Sequence, residues 1–177
     1  QTKGAAYVAR AHLLNWAYGL GRYYYYTWDN QWNQIQFVQA DNVTLTPAGT
    51  AYREIAQWMT ERVMESLTTD VNGTYVATLR DAGGKKYRVL WNPLQQIQFA
   101  LPPSWSVSSQ RTLAGVTTSL AGKTTVAIGE SPLLLEHAQS VTNEIIVDNL
   151  AVGAGDTSRS FTGTWCLSSA TNQYGAI

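Results

Sequence analysis

Arg22-Tyr23-Tyr24-Tyr25-Tyr26-Thr27-Trp28-Asp29-Asn30 is the stretch on which the reading of the fold turns. Five of its nine residues are aromatic. Tyr, Thr and Trp favour extended backbone, and strict alternation puts Tyr24, Tyr26 and Trp28 on one face and Tyr23, Tyr25, Thr27 and Asp29 on the other. Neither face is polar enough to lie in water, so the spacing predicts a strand covered on both sides, as in parallel sheets and barrels. The run then breaks into Trp28-Asp29-Asn30-Gln31-Trp32-Asn33, where rings and polar tips crowd a loop. In a barrel of alternating strands and helices, that end of a strand is where active sites sit.

Helical patterns flank the stretch. From about Lys3 to Tyr18, apolar residues fall at Ala6, Val8, Ala9, Leu13, Leu14, Trp16 and Ala17, and Gly19-Leu20-Gly21 provides the stop. His12 reads as a partly exposed helical histidine. Downstream, Leu45-Thr46-Pro47-Ala48-Gly49 opens a second helix, with Thr46 as its cap and Pro47 at the first position, where a missing N–H costs nothing. Tyr52, Ile55, Ala56, Met59 and Val63 form one apolar stripe, with Trp58 at its edge, and predict a helix to about Ser66.

Near Thr68 the texture changes to short β-like runs: Thr74–Arg80, Tyr87–Trp91, Gln96–Ala100, Ser106–Thr112, Thr124–Ile128 and Leu133–Glu136. Asp81-Ala82-Gly83-Gly84 and Leu101-Pro102-Pro103-Ser104 break them. This spacing predicts an antiparallel sandwich of seven strands or fewer. So small a segment is marginal for a core of its own and is expected to lean on the preceding helices. After a polar connector from His137, Glu144–Asn149 reads as a new strand, followed by Gly153-Ala154-Gly155-Asp156 and a run around Gly163-Thr164-Trp165. The fold class expected is α+β, divided at 1–68, 69–136 and 137–177.

The bulk chemistry narrows the functions. The 177 residues carry zero formal net charge, only 14% are charged, and no basic patch stands out, which argues against nucleic acid as a partner. Seven Trp and ten Tyr exceed what a core of this size needs, either to pack a cavity or to offer platforms to sugar rings. Cys166 is the only cysteine, and His12 and His137 stand near no carboxylate cluster, so neither a disulfide framework nor a metal site is expected, and no cofactor. No apolar run approaches the ~20 residues of a membrane span. No Gly-rich phosphate loop, HExxH or GxSxG motif occurs. Gln1 and Ile177 both read as cuts through a longer protein.

The order of motifs resembles a known family. An Ala-rich helix, an aromatic strand ending in Tyr26-Thr27-Trp28-Asp29-Asn30, the loop to Leu45-Thr46-Pro47-Ala48-Gly49-Thr50-Ala51-Tyr52 and a helix ending in Trp58-Met59 are similar to the last turn of the TIM barrel in family 39-like glycoside hydrolases of the retaining clan A. Three later motifs resemble the small β domain beside such barrels. They are Gly73-Thr74-Tyr75, Arg88-Val89-Leu90-Trp91-Asn92, and the run Val126–Glu136 through Gly129-Glu130-Ser131-Pro132. Glu144–Asn149 with Phe161-Thr162-Gly163-Thr164-Trp165 looks like the start of a golvesin-type β module, of the kind appended to secreted bacterial enzymes.

The resemblance implies a retaining glycoside hydrolase, secreted or at the cell surface, with a carbohydrate substrate. Such enzymes use two carboxylates ~5–5.5 Å apart, and in this clan both precede the segment that Gln1–Ile177 matches. No residue here is therefore expected to be catalytic, Glu54, Glu61 and Glu65 included, since they fall on a helix behind the barrel. Trp28 matches the tryptophan that ends the eighth strand and stacks beneath the sugar. Asp29 and Asn30 either bond sugar hydroxyls or cap the loop, and Trp32 is a second platform candidate. A non-catalytic carbohydrate-binding or cell-surface protein built from β modules is the competing class.

Overall fold

The computed structural model describes residues 2–26, 28, 29 and 35–137 of the chain. The module expected beyond His137, with Cys166, lies outside the described residues, as do Thr27, Asn30 and Trp32. What is described is α+β: two helices and eight strands, all the strand pairs antiparallel.

Helix α1 spans Thr2–Ala17 and stops as its glycines predict. Gly19 takes φ +76°, its N–H reaches the carbonyl of Trp16, and the N–H of Leu20 reaches that of Asn15. That pair of bonds closes the helix by a Schellman motif. Helix α2, Pro47–Met59, begins on Thr46, whose hydroxyl accepts from the N–H of Gly49, with Pro47 in the first turn. The helix is shorter than its apolar stripe predicts. Thr60 turns extended at φ −62°, ψ 135°, and Glu61 sits in the left-handed region at φ 58°. Strand β1, Arg62–Thr69, then takes the residues that the stripe assigns to the last helical turns. The helical spacing of Met64 and Leu67 persists in the strand because the register shifts between Met64 and Ser66. A bulge there lets residues three apart share a face, and both pack on the same core.

The remaining strands are β2 (Tyr75–Asp81), β3 (Lys86–Trp91), β4 (Ile97–Ala100), β5 (Val107–Arg111), β6 (Thr117–Ser119), β7 (Thr125–Ile128) and β8 (Leu133–His137). Six form one sheet in the order β1-β2-β3-β8-β5-β6, and β4 pairs with β7 alone. Strands β1 and β6 go beyond the six expected runs. β1 was hidden in a helical stripe, and β6 is a three-residue strand whose residues are all exposed, so no apolar alternation marks it.

The six-stranded sheet is covered on both faces. On one, Ala5, Ala9 and Leu13 of α1 and Ala51, Ile55 and Trp58 of α2 share a core with Ala77, Leu79, Val89, Trp91 and Leu134. On the other, Leu90, Leu133 and Leu135 meet Val126 and Ile128 of β7, with Phe99 and Trp105 packed beside them. The β strands do lean on the helices. Glu54 of α2, 3% exposed, binds Arg111 of β5 through both oxygens, at 2.7 Å to Nε and 3.2 Å to Nη2. Gly115, at φ +78°, leaves room for that carboxylate: a Cβ there would lie 2.8 Å from Glu54 Oε1.

The three resembling motifs knit the end of this sheet together. Asn92, fully buried, donates from its side chain to the carbonyl of Asn72 and the hydroxyl of Thr74, and accepts from the N–H groups of Leu94 and Gln95. Its own N–H donates to the carbonyl of Gly129 at 2.7 Å. Tyr75 stacks on Trp91 with ring centroids 4.8 Å apart. These residue types serve the packing of three adjoining turns.

The aromatic stretch departs from its expectation. Its described residues join no ladder, and Tyr24 and Tyr26 are each 80% exposed. The alternation itself is kept, with the opposite face turned inward. Tyr25 stacks on Phe37 at 4.4 Å and donates its hydroxyl to the carbonyl of Ile35, and Tyr23 meets His12 edge-on at 4.8 Å. A strand covered on both sides would bury both faces, and here Tyr24 and Tyr26 stay largely exposed while Tyr23 and Tyr25 pack on His12 and Phe37.

Candidate functional site

Phe37 is the hub around which the candidate residues gather. It is 3% exposed, stacks on Tyr25 on one hand and on Tyr52 of α2 at 4.7 Å on the other, and receives the edge of Trp28 at 6.0 Å. His12 of α1 closes the group, 5.3 Å from Tyr52 and 4.8 Å from Tyr23. Offset and edge-to-face pairs of this kind add to the area they bury. The cluster ties α1, the aromatic stretch and the start of α2 into one wall.

Backbone bonds fix that wall. The carbonyl of Trp28 accepts from the N–H groups of Phe37 at 2.9 Å and Val38 at 3.2 Å. The carbonyl of Phe37 accepts from Thr46, and the Thr46 hydroxyl donates to the carbonyl of Gln36 at 2.6 Å. Gly49 makes the close approach feasible, because a Cβ on it would stand 2.1 Å from the Phe37 oxygen. The glycine of the Leu45-Thr46-Pro47-Ala48-Gly49 run is therefore needed by packing, not by a turn.

Trp28 combines a held backbone with an offered side chain. Its ring is 54% exposed and touches Phe37 edge-on, at an interplanar angle of 82°. It is no plug of the core. Asp29 is exposed beside it. The other two candidates, Asn30 and Trp32, fall outside the described residues, so the site is placed only through Trp28 and Asp29. Sequence reasoning did not single out Phe37, Tyr52 or His12 for this wall. Tyr52 was read as part of the α2 stripe. Phe37 carries no periodic signal because it lies between elements.

Burial disfavours the charged form of His12. Burial lowers its pKa from the ordinary 6.5, and the backbone contact from Nδ1 to the carbonyl of Val8, 2.7 Å long, opposes this in part. In the tautomer with a proton on Nδ1 that contact is a donated hydrogen bond, which turns the Nε2 lone pair outward from it.

The carboxylates lie elsewhere. Glu54 is engaged by Arg111, and Glu65, on β1 instead of a helix, is bonded by Arg80 at 2.6 Å with Lys86 at 3.5 Å. Glu61 occupies the left-handed turn between α2 and β1, so only Glu54 of the three is helical. Among the described residues no three His, Cys, Asp or Glu side chains gather as metal ligands, and no helix is long and apolar enough to cross a membrane. What the wall can do chemically is stack against a ring and hydrogen-bond its rim. No family model matches this chain, and no curated protein matches it.

Proposed function

We propose that the chain is a segment of a secreted or cell-surface retaining glycoside hydrolase, in which the stretch to Trp28 is the eighth strand of a (β/α)8 barrel and Trp28 is a wall of the sugar-binding cleft. The β strands that follow are its accessory sandwich domain, and the region beyond His137 is the start of a further β module. The observation that carries the reading is the presentation of Trp28. A tryptophan with its carbonyl doubly bonded and its ring edge against Phe37, yet 54% exposed, is held still for a partner. An indole face offers sugar C–H groups a flat apolar platform, and its N–H is a spare donor. Tyr24, 80% exposed on the same face, is where another layer of a barrel would pack.

The competing reading, a non-catalytic carbohydrate-binding protein, draws on the same ring. On both readings Glu54 and Glu65, engaged in ion pairs, play no part as acid or base. On either reading the 177-residue chain alone should turn over no aryl glycoside, since an acid/base and a nucleophile are both needed. Turnover that is lost in Glu54→Gln or Glu61→Gln would overturn this.

The deciding experiment is Trp28→Ala in the longer protein, with turnover and melting temperature measured on the same sample. Catalytic efficiency should fall roughly ten-fold or more, about 1–3 kcal/mol, as for loss of other ring-stacking contacts. The melting temperature should barely move, because a half-exposed ring loses little packing on truncation. A drop in melting temperature with efficiency per folded molecule intact would make Trp28 a packing residue. Sugar binding lost on Trp28→Ala, in a longer protein that cleaves no glycoside, would favour the binding module.

A further inference from the structure

Three clefts away from Trp28 are joined by residues they share. The first, of about 580 Å3, lies between the start of α1 and the turn into α2, and Lys3 and Tyr7 form one side of it. The same Lys3 and Tyr7 line a second, of about 510 Å3, that runs past Arg10 to Tyr75, Trp91 and Glu130. Glu130 in turn borders a third, of about 600 Å3, with Gln96, Gln98 and Thr112 on its walls. Each is already of the size that holds one small ligand, about 300–1,000 Å3. Through the residues they share, the three adjoin as a trough. Trp28 lines none of them.

The lining is aromatic and charged in a definite order. Tyr7 is 59% exposed, and the guanidinium of Arg10 covers one side of its ring at 4.8 Å. Tyr75 lies parallel on the buried Trp91, 5° apart. The ion pairs among the described residues are all made by Glu54 and Glu65, so Lys3 and Arg10 meet no carboxylate and Glu130 meets no cation. Arg10 donates from Nε to the carbonyl of Ala6 at 3.3 Å, and its terminal nitrogens have no bond among the described residues. Lys3 and Arg10 are seven residues apart, about 10 Å along a helix, with Tyr7 between them. Two cations at that separation, with a ring between, match charged groups spaced along an extended chain. The far wall is set in place by the bond from Asn92 N–H to the Gly129 carbonyl, next to Glu130.

We propose that this trough binds an extended acidic glycan. Carboxylates of the chain meet Lys3 and Arg10, one of its rings lies on Tyr7, and its hydroxyls bond Glu130 and the amides of Gln96 and Gln98. An extended peptide would want alternate apolar pockets for its side chains. The walls here mix apolar residues with amides, charges and flat rings, and it is the two cations without a carboxylate partner among the described residues and the exposed Tyr7 ring that suit acidic, ring-built units. The inference rests on the reading of this protein as one that handles glycans, but it uses different residues from the Trp28 wall.

The test titrates the full 177-residue chain with oligogalacturonate, an uncharged oligoglucan and oligoglutamate. Oligogalacturonate should bind most tightly, and its affinity should fall as salt rises. Arg10→Gln and Tyr7→Ala should each weaken it roughly ten-fold, the worth of one charge-assisted or ring contact, at an unchanged melting temperature, while Lys123→Gln, an exposed cation away from the trough, leaves it as it was. Equal binding of oligoglutamate, equal binding of the uncharged glucan, or affinity indifferent to both trough variants overturns the proposal. No binding of oligogalacturonate overturns it too. If sugar binding dependent on Trp28 survives such a result, the glycoside reading stands without the trough; if that is lost as well, both fall.

Discussion

At Gly49 a methyl group would sit 2.1 Å from the carbonyl oxygen of Phe37, and this inverts an ordinary expectation. Replacing a helical glycine by alanine normally stabilises by about 0.5–1 kcal/mol. Here the clash is with backbone, which has little freedom to yield, so Gly49→Ala should instead destabilise by about 1–3 kcal/mol, the range for overpacking. Urea unfolding of the chain measures the sign directly, and a gain in stability would mean that α2 does not press on the Phe37 loop. Single groups also set the pH response. His137 is held down to about 4, by burial first and then by the positive charges of Arg88, Lys85 and Lys86, and burial lowers His12 as well. Both fold better neutral, so their contribution is whole above the ordinary 6.5 and is lost as pH falls below it, for His137 towards about 4. The depressed carboxylates Glu65, Asp70 and Asp81 act lower, below their ordinary values of 4.5, 3.8 and 3.8. Between about pH 6.5 and 4.5 the histidines therefore control the slope. The melting temperature should drop across that interval, and His137→Gln should flatten the drop. A flat profile in the unaltered chain would show that the two rings titrate as freely in the folded state as in the unfolded one.

Elements here are joined by one buried ion pair as much as by apolar contact. Glu54 leaves α2 and reaches Arg111 on β5, fifty-seven residues away in sequence, in the space that Gly115 leaves open. Glu54→Gln would leave the Arg111 guanidinium facing a neutral amide. The expected loss is about 3 kcal/mol, at the low end for a broken buried pair because Arg111 remains 30% exposed. Chemical denaturation of Glu54→Gln beside Glu54→Gln/Arg111→Met checks it. The double variant should recover part of the loss, and an equal or larger loss would mean that the pair itself is not what Glu54 contributes. Nothing in the sequence marks this partnership, since Glu54 lies off the apolar stripe and reads as a solvated helix face. The same element shows where local pattern stops being enough. Thr46, Pro47 and Gly19 act through their nearest neighbours, and the helix start and stop they predict are found. The end of α2 depends on β2, which draws Arg62–Thr69 into a ladder with Tyr75–Asp81. A helical stripe that continues to Val63 cannot register that competition. The aromatic stretch makes the same point from the other side: its alternation was legible, but which face finds cover depends on Phe37 and His12. At the candidate site, Trp28 was singled out by the resemblance and is exposed, whereas the wall of Phe37 and Tyr52 behind it arises only when a loop and α2 meet.

For the molecule as a whole, the sheet cannot be treated as a domain that merely follows two helices. One of its faces is completed by α1 and α2, through Ala9, Leu13, Ile55 and Trp58, and the other by β4 and β7. Removing the helices would expose Leu79, Val89, Trp91 and Leu134, each now 1% exposed or less. At about 1.5–3 kcal/mol for each large apolar side chain, that loss is comparable with the whole net stability of an ordinary domain, about 5–15 kcal/mol. A chain beginning at Arg62 should therefore fail to fold alone, bind a hydrophobic dye and show no cooperative melt. The 177-residue chain should instead lose the helical and the sheet signals of this unit in one transition, because a shared core makes them one cooperative unit. The comparison is made by following far-ultraviolet circular dichroism and tryptophan fluorescence on both chains. Trp58 and Trp91, each 1% exposed in the shared core, report on its loss. If the shorter chain melts sharply at a similar temperature, the apolar face under the helices is not needed for folding, and the helices are better understood as a cover that the sheet can lose. If the longer chain melts in two steps, with the helical signal lost first, then Glu54–Arg111 and the apolar contacts around Trp58 are too weak to couple the layers.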